Sequence, residues 1–207
     1  MINLTPLIAA MLTVAALAVP GRAETAQDTD GDGIPDAAEL LLGTDPMVAD
    51  TDGDGQNDLA DKTPTFVANP MVLGGPPAPF TIAEALVEDN IDTVRKADAP
   101  DHLELHLHNS ASAALAGFTV HIGILDADSG IQEGSYQRLE GFVLPAGADA
   151  ILHFDDGTDP GHFRANPNSI YHTSKAKKTF TVALQAEGFA PVTVVIAKDA
   201  TGDEAAD

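Results

Sequence analysis

Two stretches of this chain share one pattern of alternating carboxylates, and that pattern limits what can organise them. Residues 28–39 read DTDGDGIPDAAE, and residues 50–61, beginning 22 positions later, read DTDGDGQNDLAD. In each, acids stand at positions 1, 3, 5, 9 and 12, and glycine (Gly33, Gly55) at position 6, where a chain wrapping an ion must turn sharply. Hydrophobic burial cannot fold such a segment. From Glu24 to Asp61 there are twelve acids and no Lys or Arg, so like charges hold it open unless counter-ions close it. A hard cation that takes six to eight oxygens with loose geometry fits this spacing, which makes Ca²⁺ the expected ion. Metal binding and folding are therefore expected to be coupled here.

The candidate ligands follow from position. Asp28, Asp30, Asp32, Asp36 and Glu39 are expected to hold one ion, with the backbone carbonyl of Ile34. Asp50, Asp52, Asp54, Asp58 and Asp61 are expected to hold a second, with the carbonyl of Gln56. Asp45, between the loops, is a further candidate oxygen donor. Position 12 of the second loop carries Asp61 where Glu is usual, so one oxygen reaches the ion instead of two and that site is the weaker.

Residues 37–42 (AAELLL) make a short helical turn that Gly43 ends, and Pro46 keeps it from restarting. An EF-hand needs a helix on both sides of each loop, and this segment lacks that frame. The run DTDGDGIPDAAELLLGTDPMVADTDGDGQNDLAD instead resembles the bacterial thrombospondin type 3 repeat, through its two DTDGDG boxes, the acids after them and the linking LGTDP. The resemblance covers about a fifth of the chain. It implies an irregular, calcium-organised segment with little hydrophobic core of its own. Dockerin modules have similar loops but follow them with longer recognition helices, whose place here is taken by Ala37-Ala38 and Leu59-Ala60.

The net charge of −22 argues against nucleic acid and anionic membrane surfaces as partners, since both repel an acidic surface. Residues 1–23 read as an export signal: residues 2–19 are apolar and uncharged, and Pro20, Gly21 and Ala23 supply a break and small cleavage-site residues. The apolar stretch also approaches the length of an uncleaved anchor. The destination expected is periplasmic or secreted. With no cysteine, disulfides are excluded, and calcium is the evident alternative staple.

We divide the chain into the signal (1–23), the calcium-binding repeats (24–66), a Pro/Gly linker (67–79), a β-sandwich (80–200) and an acidic tail (201–207). Beyond the linker the hydrophobic period becomes two: Leu103, Leu105, Leu107; Phe118, Val120, Ile122, Ile124; Phe180, Val182, Leu184; Val192, Val194, Ile196. Turn sequences bound these runs. The fold class expected is mainly β: a single antiparallel, immunoglobulin- or fibronectin-like sandwich of about seven strands, preceded by the short irregular arm. Residues 81–84 also fit a helix capping box, but Ile82 and Leu86 can continue one strand face, so we read a strand.

On one strand His102, Glu104, His106 and His108 share a face opposite leucine. The plain reading is a solvent face rich in histidine. The chemical reading is a shared transition metal, Cu²⁺ or Zn²⁺, with His121, His153, His162 and His172 elsewhere in the sandwich. Lys175, Lys177 and Lys178 form the basic cluster, read as a solvated turn or as a dock for the acidic arm. Asp126, Asp128, Asp155 and Asp156 sit in ordinary turn composition. No nucleophile elbow, zinc-protease pair or phosphate loop occurs, so the expectation is a non-enzymatic calcium-binding protein. Its sandwich would meet an unknown protein or cell-envelope partner. The alternative is a periplasmic transition-metal protein using the histidine face.

Overall fold

The structure, a computed structural model, describes residues 26–88, 91–92, 97–98 and 102–200. The proposed signal and the acidic tail lie outside the described residues. Among the described residues, no helix is long and apolar enough to cross a membrane.

The chain opens with the two loops, joined by α1 (Asp36–Leu42). Gly43 ends this helix in the left-handed region at φ 80°, and its amide bonds the Glu39 carbonyl. The strands are β1 (Phe80–Glu88), β2 (Ile91–Asp92), β3 (Ala97–Asp98), β4 (His102–Asn109), β5 (Thr119–Asp126), β6 (Gln132–Arg138), β7 (Asp149–Asp155), β8 (His162–Arg164), β9 (Lys178–Gln185) and β10 (Val192–Lys198). A one-turn helix, α2 (Ile170–Thr173), precedes β9.

Two four-stranded sheets, ordered β1-β4-β7-β8 and β10-β9-β5-β6, make the sandwich, and β2-β3 form a separate ribbon. Among the described residues every ladder is antiparallel except β7 with β8, which is parallel. The period-two leucines of β4 face inward against Phe118, Val120, Phe154, Phe180 and Leu184, and this buried cluster is the core. Phe80 and Phe118 meet edge to face at 5.4 Å.

Residues 80–88 form a strand, but its face is not the one the sequence suggests. The register with β4 shifts between Ile82 and Glu84. Such an irregularity inserts a residue and reverses the alternation beyond it. Phe80, Ile82, Ala85 and Val87 therefore pack on the core, and Leu86 sits opposite Glu104 on the other face.

β1 lies against β10 along one side of the sandwich. On the other side, β6 and β8 are the edge strands of their sheets. Gln137 reaches from β6 to the Arg164 carbonyl at 3.3 Å.

Candidate metal centres

The two loops build the same hydrogen-bond pattern from the same letters. In the first, Asp28 accepts from the amides of Gly31 (2.9 Å) and Gly33 (3.2 Å), Asp30 from Asp32 (3.0 Å), and Asp32 from Ile34 (2.6 Å). In the second, Asp50 accepts from Gly53 (3.0 Å) and Gly55 (2.8 Å), Asp52 from Asp54 (3.0 Å), and Asp54 from Gln56 (2.7 Å). Each side chain thus folds its own loop locally, as short acidic residues do in turns. The position-9 acids close the loops: Asp36 accepts from the amide and hydroxyl of Thr29, and Asp58 does the same with Thr51.

What these bonds leave over is the chemically telling part. Asp30 Oδ2, Asp32 Oδ2, Glu39 Oε2, Asp52 Oδ2 and Asp61 Oδ2 are buried and have no hydrogen-bond partner. A buried carboxylate oxygen without a donor is costly, and no Lys or Arg lies in this segment to relieve it. Burial, with the charges of Asp30 and Asp32 added, raises the Glu39 pKa to about 7. Burial, with Asp54, Asp61 and Asp50 nearby, raises that of Asp52 to about 7. Asp30 and Asp58 are also raised, chiefly by burial. Asp36 moves the other way, held low by the Thr29 hydroxyl. A divalent cation supplies what the raised groups lack.

Carboxylate oxygens converge in three groups: Asp28, Asp30 and Asp32; Asp50, Asp52 and Asp54; and Asp32, Glu39 and Asp58. The third joins the loops, since Asp58 of the second reaches two acids of the first. Asn57 reinforces the junction by donating to the Asp32 carbonyl at 3.1 Å. The Gln56 amide group turns back onto Asp54 at 2.8 Å. Asp45 stands apart from these groups, because both its oxygens meet Arg164.

The arm is docked along the β6–β8 side of the sandwich. Arg164 of β8 grips buried Asp45, and Asn166 and Asn168 donate to the carbonyls of Gly43 and Thr44, both at 2.6 Å. The Tyr136 amide of β6 donates to the Asp52 carbonyl at 2.7 Å, and Gly134 exchanges bonds with Thr65 and Val67. His121 donates from Nε2 to the Val67 carbonyl at 3.0 Å. The arm thereby satisfies the open edge of β6, an edge that otherwise invites pairing with another chain. The basic cluster is not the dock. Lys177 pairs with Asp199, and Lys178 is buried with bonds to the Ser174 and Ala176 carbonyls. Asp126 ties its own turn by accepting from Asp128 and Ser129.

The histidine face of β4 is regrouped by its neighbours. His108 leaves for Asp149 at 2.7 Å. Glu104 lies opposite His153 of β7, and His153 opposite His162 of β8. His102 Nε2 and His153 Nδ1 approach the same oxygen, Glu104 Oε2, at 3.4 and 3.5 Å. His106 bonds the other oxygen. His153 stacks on His162 with rings 4.4 Å apart, and His162 meets Asp155 at 2.6 Å. Burial would raise the Glu104 pKa, but the bonds from His106 and His102 outweigh it and hold the group low.

Comparison with known proteins agrees with the first of these centres. The family model of the bacterial TSP3 repeat matches residues 28–49, ending just before the second loop begins. That repeat is a calcium-binding element, and a β-rich region follows it here. Comparison with curated proteins returns no match. Among solved structures, a β-glucosidase involved in saponin metabolism from intestinal bacteria is similar over 57% of this chain, at 14% identity and a TM-score of 0.31. The similar region spans 16% of that enzyme.

Proposed function

We propose that this is an exported, non-enzymatic calcium-binding protein whose arm takes up about two Ca²⁺ ions and, once ordered, caps the β6–β8 side of an immunoglobulin-like sandwich. The observation that carries this reading is the set of five buried, partnerless carboxylate oxygens that the two loops contain. Asp28, Asp30, Asp32 and Glu39, with the Ile34 carbonyl, would serve the first ion; Asp50, Asp52, Asp54 and Asp61, with the Gln56 carbonyl, the second. Asp36 and Asp58 close the loops, and Asp58 also links them. Calcium is structural in this reading. It neutralises the arm so that Asp45, Thr44 and Asp52 can hold their places on Arg164, Asn168 and Tyr136. The sandwich then presents its remaining surface to a protein or cell-envelope partner.

Calcium titration by calorimetry, with limited proteolysis in calcium and in chelator, tests this. Two binding events and a cut between residues 24 and 64 that appears only in chelator are expected. No calcium uptake at millimolar concentration would overturn the reading. Unchanged calcium binding when Asp30 and Asp52 are both replaced by Ala would remove the ligand assignment.

A further inference from the structure

We propose a second, chemically distinct metal site on the outer face of the β1-β4-β7-β8 sheet, in which His102, Glu104 and His153 bind a transition ion such as Zn²⁺ or Cu²⁺. It stands independently of the calcium reading, since it shares no residue with the arm. The strand pattern makes the site. Leu103 and Leu105 point into the core, so His102 and Glu104 both point out, and the β4–β7 register sets His153 directly beside Glu104.

One ligand atom from each of the three residues lies within 4.8 Å of the other two. The His–Glu edges of 3.4 and 3.5 Å fit the coordination shell closely. Two ligands bound tetrahedrally at Zn–N and Zn–O lengths of ~2.0–2.1 Å stand roughly 3.3 Å apart. Two imidazole nitrogens and one carboxylate oxygen are ligands for borderline transition ions rather than Ca²⁺, which takes oxygen. The surroundings orient the set. His106 occupies Glu104 Oε1 and leaves Oε2 to face the histidines. His162, fixed by Asp155, stacks on the His153 ring at an interplanar angle of 11°. Such outer partners are what hold metal ligands in place. The side chains of His102, Glu104 and His153 are 19%, 18% and 24% exposed, so an ion can enter without opening the sandwich and solvent can complete its shell.

The test uses the whole chain saturated with Ca²⁺, so that the acidic loops do not compete for the probe. Zn²⁺ is titrated by calorimetry into the parent and into His153→Ala, Glu104→Gln and His108→Ala, with thermal unfolding of each variant confirming the fold. We expect a single equivalent of Zn²⁺, weakened by at least roughly tenfold in His153→Ala and Glu104→Gln and unchanged in His108→Ala. With Cu²⁺, the resonance spectrum should show two coupled nitrogens in the parent and one in His102→Ala. Absence of saturable uptake at micromolar Zn²⁺ would overturn the proposal and leave the face a histidine-rich ionic patch. Equal uptake by the parent and His153→Ala would overturn it too, placing the ion elsewhere, as would equal losses in His108→Ala and His153→Ala.

Discussion

Arg164 holds Asp45 with two parallel bonds, Nε to Oδ2 at 2.6 Å and Nη2 to Oδ1 at 2.5 Å, across 119 residues of sequence. The Asp45 side chain is 3% exposed, so this is the bidentate pair that fastens an acidic arm to an acidic protein. Its removal from one side leaves a buried carboxylate unpaired. Arg164→Ala should therefore weaken docking by about 3 kcal/mol, and Asp45→Asn by less, because the charge it leaves unpaired is the Arg164 guanidinium, which is 27% exposed and reaches solvent. Hydrogen exchange across residues 43–67, measured in calcium, checks the order of the two variants.

Gly31 and Gly53 occupy the same position in the two loops and have the same φ of 78°. A Cβ on Gly31 would meet nothing within 4 Å, whereas on Gly53 it would lie 1.9 Å from the Tyr136 carbonyl oxygen. Gly31→Ala should cost about 1 kcal/mol, the ordinary penalty for a side chain in the left-handed region. Gly53→Ala should cost that and the docking of the second loop as well. Proteolytic susceptibility of the arm in calcium separates them; equal susceptibility would mean that the seam at Tyr136 contributes nothing.

Calcium uptake should be pH-dependent over a defined window. Without the ion, Glu39 and Asp52 have folded-state pKa values raised to about 7, above those of the open chain. The folded arm therefore binds more protons than the open chain between about pH 4 and 7. Its ion-free stability falls as pH rises through that interval. Calcium displaces those protons, so its affinity should rise with pH over the same interval and level off above it. At pH 6, where those protons keep the ion-free arm closed, calorimetry in buffers of different ionisation enthalpy should detect their release, and at pH 8.5, where the ion-free arm is open, little.

Withdrawing calcium should expose the edge of β6 at Gly134 and Tyr136, whose outward bonds the arm supplies. An unpaired edge is a template for another chain. Chelator should therefore promote self-association, seen as a rise in sedimentation coefficient that added calcium reverses. A strictly monomeric chelated protein would show that β6 is protected by something other than the arm.

Within the sandwich, Asn109 is fully buried and donates to the carbonyls of Ala113, Leu144 and Pro145 while accepting from Ala111. Asn109→Asp turns those donations into repulsions, and Asn109→Ala abandons the acceptors. Each should lower stability by at least about 2 kcal/mol, with Asp the worse, read from denaturant midpoints.

The acidic loops were legible because their bonding is local: the carboxylates sit in two short runs and bond amides two to seven residues away. The inward strands were legible for a similar reason, since alternation is a local signature of a half-buried sheet. Long-range pairings were not. Asp45 reads as one more oxygen donor until Arg164 is seen beside it. β6 (QEGSYQR) carries no apolar alternation: Glu133 and Gln137, on the face of Ile124 and Val120, bond Ser169 and the Arg164 carbonyl, and Gly134 leaves room for the Val67 carbonyl. The register shift in β1 moved Leu86 off the core face, and no residue type announces it. On β4 the histidines were visible as a row, but His153 and His162 joined it only through strand register, and His108 left it for Asp149.

The bond between the Tyr136 amide and the Asp52 carbonyl has an optical consequence. The chain contains two tyrosines and no tryptophan. Both tyrosines line the cavity between arm and sandwich, Tyr136 beside the second loop and Tyr171 edge-on to Phe180 at 5.1 Å. No indole emission masks them. Ultraviolet fluorescence of the unlabelled protein is thus a direct reporter on this seam, and the molecule signals with its own chromophores whether its arm is in place.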